Sequence, residues 1–191
     1  SRVRRAPQVS FDNPGTASDG QRNNDQFDMF NGSPERYDWK LVGRRELLVP
    51  YNCYKAHNAE VDPKNLIEAG HLNPDMLRYE KHRVWEVDAV VKDGTSHLYK
   101  RRTFFFDEDS WQALVIDQYD NSDNIWRVSE AYPIIYYDLP ALYDTLLSHY
   151  DLDNGRYLTI GFNAKGNVEK WVSDLKDSDF SAASLSRRGK R

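Results

Sequence analysis

Between residues 83 and 91 apolar and polar positions alternate, with Trp85, Val87, Ala89 and Val91 on one side and Glu86 and Asp88 on the other. A period of two marks a half-buried strand. The alternation runs through residues 78–106 and is interrupted by Lys92-Asp93-Gly94-Thr95, a hairpin signal because Asp-Gly tolerates positive φ. Further strands are predicted over residues 37–54, with Gly43 a bulge or bend, and over 111–119, 124–133 and 156–163, the last preceded by an Asp153-Asn154-Gly155 turn. Helix signals are sparse. Residues 61–70 carry a cap at Asp62, Pro63 in the first position and a stop at Gly70. Leu142, Leu146 and Leu147 have helical spacing, yet the Asn-Gly turn behind them asks for a strand. The reading for residues 138–152 is a short helical turn after Pro140 and then a strand from about Thr145. A brief helix is predicted near the end, in DSDFSAASLSRR.

Residues 1–36 lack periodicity and are rich in Asn, Asp, Gly, Ser and Pro. They read as an extended arm, pinned to the body by Phe27, Met29 and Phe30. Residues 37–191 then form one domain of mainly antiparallel β-structure, a curved half-barrel with short helices at its edge. A chain of 191 residues buries roughly 70% of its unfolded surface, and 13% aromatics suit such a sheet.

Charge narrows the function. The net charge is −4, but seven basic residues crowd the two ends (Arg2, Arg4, Arg5, Arg187, Arg188, Lys190, Arg191). Without them 19 basic residues face 30 acidic ones, a body charge of −11. An acidic body lacks the basic stripe that nucleic acid requires. The basic ends read as solvated tails, with peripheral contact to an anionic membrane the alternative. No run approaches the roughly 20 apolar residues of a spanning helix.

Candidate chemistry is explained by turns. Asp107-Glu108-Asp109-Ser110 lies between two strands and reads as their connection, which places Lys100 or Arg101 opposite Asp117. DNSDN at 120–124 and DLDNG at 151–155 partly resemble calcium loops, but both lie where a turn is already needed. His57, His71, His82, His97 and His149 form no HExxH pattern, although His82 and His97 flank one hairpin. Cys53 is alone, so no internal disulfide forms. No nucleophile elbow or phosphate loop occurs. The expectation is a protein without catalytic residues, metal or cofactor.

The apolar inventory remains. Trp85, Phe104, Phe105, Phe106, Trp111, Trp126 and Tyr132 fall on four neighbouring strands, with too little helix to cover them. Such a sheet is an ordinary core, closes on itself, docks another domain or leaves a cleft for a ligand. The candidate ligand face is Trp85, Val87, Ala89, Phe104, Phe106, Trp111, Trp126 and Val128, with the Glu86 face toward solvent.

The segments RRAPQVSFDNP, SDGQRNNDQFDMFNGSPERYDWKLVGRRELLVPYN, GHLNPDMLRYEKHRVWEVDAVVKDG, YKRRTFFFDEDSWQ, DQYD and WRVSEAYPIIYYDLP closely resemble, in order and spacing, the C-terminal half of the family called domain of unknown function 1329. The family is often labelled outer-membrane lipoprotein-sorting protein. It is also similar to the periplasmic lipoprotein carriers, curved, incompletely closed sheets that hold acyl chains. The resemblance implies a Gram-negative, periplasmic protein, with possible outer-membrane association, that carries lipid, lipoprotein acyl chains or other hydrophobic cargo. It implies encoding beside resistance-nodulation-division transporters and supplies no catalytic residues. The family's N-terminal half and signal peptide are absent from this sequence. The alternative reading is an interaction module that docks a transporter or that missing half and binds no small ligand.

Overall fold

The computed structural model describes residues 10–162 and 169–188, which fall into two compact units, 10–162 and 169–188. The larger unit is a single open, curved antiparallel sheet of seven strands in sequential order: β1 Tyr37–Pro50, β2 Tyr79–Val91, β3 Arg101–Asp107, β4 Ala113–Tyr119, β5 Ile125–Tyr136, β6 Ala141–Asp151 and β7 Tyr157–Ile160. Each strand pairs with the one before it, the meander that short turn-rich connections favour. Among the described residues helix is confined to single turns and two short segments, α1 Tyr54–His57 and, in the smaller unit, α2 Ala182–Arg188.

Most predicted elements are present, with shifts that have local causes. Gly43 sits at a bulge, where the β1–β2 register slips between Leu41 and Gly43. The Asp93-Gly94 turn forms, with Gly94 at φ 77° and Thr95 N–H donating to the Lys92 carbonyl. It does not close the hairpin, because residues 92–100 loop out and pairing restarts at Arg101. Residues 61–70 make one 3₁₀ turn, Pro63–Asn65, in which the Asp62 side chain accepts from Lys64 N–H. The helical turn expected after Pro140 is absent: β6 begins at Ala141 and pairs with β5 down to Tyr136. There the ladder's tertiary pairing overrides the leucine spacing. Residues 163–168, including Asn163 of the predicted 156–163 strand, lie outside the described residues, as do the basic positions of 1–9 and 189–191.

Register settles the faces. Across the sheet Leu41, Val87, Phe104, Ile116, Ser129 and His149 are successive partners, so their side chains share one face. Glu86, Phe105, Val115, Glu130 and Ser148 form the corresponding row of the other. The Glu86 side is not a solvent face throughout. Val84 and Phe105 on it are buried with Val49, Tyr51 and Leu114. Farther along, the segment between β1 and β2 packs Cys53, Ala56, Leu66 and Leu72 against Tyr132 and Leu146. The reason is the long crossover of residues 51–78, whose apolar positions find cover only there.

Candidate functional site, an apolar face beneath an arm

Residues 10–36 lie on the Val87 face. Met29, 1% exposed, is buried with Tyr37, Ala89, Phe104, Ile116, Ala131 and Leu147. Phe30 meets Phe104, Trp39 and Tyr37 edge-on, with ring centroids 5.4, 5.8 and 6.0 Å away. Asp28 and Met29 both take left-handed backbone (φ 51° and 63°), a conformation costly for side chains other than glycine. The turn is held by Asn31 N–H donating to the Asp25 carbonyl at 2.7 Å. Of the three predicted anchors, Phe27 does not serve: it is 58% exposed.

What fixes the arm is polar and buried. Arg102 follows the parity of Phe104, yet it is 1% exposed and donates to Asp25 Oδ2 at 2.6 Å. His97 Nε2 lies 3.0 Å from the same oxygen, and Tyr37 Oη donates to it at 3.4 Å. Burial opposes the charge of Asp25, but His97 and Arg102 hold its carboxyl below the ordinary range. The remaining Arg102 nitrogens, Nε and Nη1, have no hydrogen-bond acceptor. The guanidinium lies 5.1 to 5.6 Å from the rings of Tyr99, Phe30 and Tyr37, which provide cation–π contact instead. Gln26 extends the network. Its Oε1 accepts from Tyr99 Oη at 3.1 Å, and its Nε2 donates to Ser129 Oγ at 3.3 Å. Ser129 Oγ is 2.8 Å from His149 Nδ1. Burial, with Arg22 and Arg127 adding to it, pushes His149 down to about 3, so it is neutral in the folded protein.

Beyond the arm the same face stays open. Leu41, Trp85, Val87, Phe106 and Trp111 line an apolar cavity of about 410 Å³. Leu41 and Trp111 are 61% and 68% exposed, and the Trp85 indole N–H is buried without an acceptor. The cavity therefore presents an apolar wall that is open to solvent on one side.

Of the eight residues expected to share one ligand face, Trp85, Val87, Phe106 and Trp111 meet in this cavity, and Ala89 and Phe104 lie beneath Met29. Val128 does not join them. It pairs with Asp117 and Tyr150, whose neighbours in register put it on the Glu130 side. Trp126 packs edge-on against Tyr99, 5.6 Å between centroids. The alternation rule had no register with which to relate β5 to β2. One half of the arm's lock left a trace in the sequence, the lone Arg102 in the parity of Phe104 and Phe106, but nothing local named its partner Asp25.

The acidic stretch is a turn, as its flanks imply. Asp107 Oδ2 accepts from Ser110 N–H at 2.9 Å and from Ser110 Oγ at 2.6 Å, and Trp111 N–H donates to the Asp107 carbonyl. Asp117 faces Thr103, not Lys100 or Arg101, because Phe106 pairs with Ala113, two residues beyond Trp111, and the pairing slips by one more residue between Phe105 and Phe106. Arg101 still acts on Asp117 diagonally, against the burial that raises its carboxyl. Asp120 and Asp151 each accept two turn amides, which explains both calcium-like sequences without an ion. His82 and His97 take different carboxylates, Asp107 and Asp25. His82, Asp107 and Asp109 bring ligand-type atoms within 4.8 Å of one another. The Asp107 oxygens there are already engaged by Ser110 and by His82 at 2.8 Å.

Residues 1–186 match the family described as protein of unknown function (DUF1329). The chain belongs to that family. Within reach of the DUF1329 chain is the uncharacterized protein PA3922 of Pseudomonas aeruginosa, 48% identical over 194 residues; the match takes in all of this chain and 42% of that protein. The chain thus spans less than half the length of this relative. Among solved structures, a domain from Vibrio parahaemolyticus described as a candidate outer membrane lipoprotein-sorting protein is similar with a TM-score of 0.51 and 11% identity, over 93% of this chain and 58% of that one. A DUF1329 protein from Desulfovibrio piger aligns with a TM-score of 0.48 and 15% identity, over 97% and 60%. At 11% identity the likeness to the Vibrio domain is one of fold alone. No helix among the described residues is long and apolar enough to cross a membrane.

Proposed function

We propose that this chain is the face-bearing part of a periplasmic carrier for hydrophobic cargo, a lipid or a lipoprotein acyl chain. The carrier would work passively between a resistance-nodulation-division transporter and the outer membrane. The observation that carries the reading is the apolar face itself, half covered by Met29 and Phe30 and open at Leu41, Trp85, Val87, Phe106 and Trp111. A folded domain that leaves two tryptophans and a leucine around an open cavity retains apolar surface for something else to cover. The fold shared with the Vibrio domain, described in terms of lipoprotein sorting, supports the same reading.

The mechanism requires no chemistry. Cargo leaves water for the sheet, at roughly 0.8 kcal/mol per buried methylene, and a chain of about 14 carbons gains on the order of 10 kcal/mol before ordering costs. Where cargo extends toward Ala89 and Phe104 it displaces Met29 and Phe30. The open cavity is the entry point and the arm the competitor.

The deciding experiment is mass spectrometry of organic extracts from the full-length protein purified from its native periplasm. Recurrent lipid supports the carrier. Lipid-free protein held with a stable partner would replace it with an interaction module.

A further inference from the structure

On the opposite face, a second cavity of about 570 Å³ lies between β5–β6 and the 51–78 segment. Its walls include Leu72, Leu77, Val128, Tyr79 and Tyr150, and Glu130 faces into it. The volume lies within the roughly 300–1,000 Å³ usual for small-molecule sites. Other charged residues on its lining are matched by opposite charges. Asp151 pairs with Arg127 and Arg156 with Asp19, and the His71 ring lies 3.6 Å from the Glu68 carboxylate. Glu130 has no basic partner among the described residues. Its contacts are hydroxyls: Tyr132 Oη donates to Oε2 at 2.5 Å and Tyr79 Oη at 3.2 Å. Tyr132 Oη is also 2.8 Å from Tyr150 Oη, which extends the chain of hydroxyls. Oε1 receives only the long 3.4 Å contact from Tyr79 and keeps accepting capacity.

A carboxyl in this setting is costly to keep without a compensating cation. Tyrosine faces and a carboxylate beside apolar walls are the elements that recognise an ammonium on an apolar body. We propose that this pocket binds the ammonium end of an apolar amine, with Glu130 Oε1 accepting its N–H and Tyr79 and Tyr150 flanking it. The bound cation supplies the charge that the pocket lacks. Burial holds the Glu130 carboxyl above its ordinary range, with the Tyr132 and Tyr79 hydroxyls opposing that effect, and a cation bound beside it would favour its charged form. The pocket is separate from the cargo face and does not depend on the carrier reading.

Two sources present this chemistry, a free alkylamine and an ethanolamine lipid headgroup. Calorimetric titration at about pH 8 with octylamine, octanol and dihexanoyl phosphatidylethanolamine, each below its aggregation concentration, separates them. The expected result is saturable binding of octylamine or of the ethanolamine lipid, at least about tenfold weaker for octanol and for Glu130→Gln. Octylamine binding identifies a free amine, and lipid binding alone a headgroup. Glu130→Gln keeps an acceptor for both tyrosines, and its melt is to be compared with wild type. If that variant does not fold, Leu152→Trp at the exposed rim serves instead and should weaken the same titrant by narrowing the mouth. Equal affinity for octanol, unchanged binding in the folded variant, or no saturable binding by any titrant overturns the proposal.

Discussion

Val87 and Glu86 are chain neighbours in β2 with opposite surroundings. Val87 lines the open apolar cavity, and Glu86 reaches Arg45 at 3.2 Å across a half-exposed ion pair. Val87→Glu places a carboxylate where water still reaches, so we expect a loss of about 1 kcal/mol or less together with loss of a fluorescent fatty-acid probe. Glu86→Val should change stability by no more than about 0.5 kcal/mol and leave the probe bound. Thermal melts and probe titrations on both variants check this; equal probe binding by the two would remove Val87 from the site. Asp144 gives a pH prediction. Burial first, then the Asp28 carboxylate of the arm, raises it from 3.8 to about 7, against one hydrogen bond from Gln112. The folded state therefore holds this proton more tightly than the unfolded state. Its stabilising contribution is complete below about 3.8 and is lost as pH rises through about 7. Asp144→Asn removes this slope, so above pH 7 it should exceed wild type by on the order of 1–3 kcal/mol and show no gain at about pH 4. A difference between the two melts that is constant across that window would contradict the assignment.

The arm is the element whose role the structure clarifies most. Its apolar contribution is Met29 and Phe30, delivered by two left-handed residues, and its hold on the sheet is Asp25 and Gln26. Apolar plug and polar lock are thus separable. Met29→Ser should cost about 2–4 kcal/mol through the vacated volume, yet raise the affinity for the fatty-acid probe, because Ala89 and Phe104 become available. Phe27→Ser, at an exposed position, should alter neither. Probe affinity that falls in step with stability in Met29→Ser would mean that the arm completes the binding face instead of competing for it. The arm's existence and two of its anchors were legible, since an aperiodic polar segment carrying Met29 and Phe30 needs a surface to rest on. Its lock was not, because Asp25 and Arg102 are 77 positions apart and no local pattern pairs them.

At the scale of the molecule, a meander in sequential order makes stability graded from the centre to the edge. β3, β4 and β5 are hydrogen-bonded on both sides and carry Phe104, Phe105, Leu114, Ile116 and Ala131, all buried. The four-residue β7 pairs, among the described residues, with β6 alone. Native-state hydrogen exchange should find the amides of the central strands opening only with global unfolding, and those of Tyr157–Ile160 opening sooner. Protection of β7 equal to that of β3 would rule out this gradient. The sequence by itself determined most of the strands, the bulge at Gly43, the turns at Asp93-Gly94 and Asp153-Asn154-Gly155 and the turn within the acidic stretch. Each depends on residues within a few positions of one another, through side-chain period, backbone freedom and local hydrogen bonds. It did not determine which strands place their apolar residues on which side. Slips at Leu41/Gly43, Phe105/Phe106, Gln118/Tyr119 and Tyr132/Pro133 reset the alternation between neighbours. Val128, in phase with an apolar series in the chain, ends on the face opposite Val87 because the register through Phe104 and Ile116 brings Ser129, not Val128, into the Val87 row. Glu130 shows the same limit: its parity with Val128 and Tyr132 was readable, but only the crossover folded over it made a pocket. Burial is a property of what the rest of the chain places on top, and that is decided by tertiary pairing.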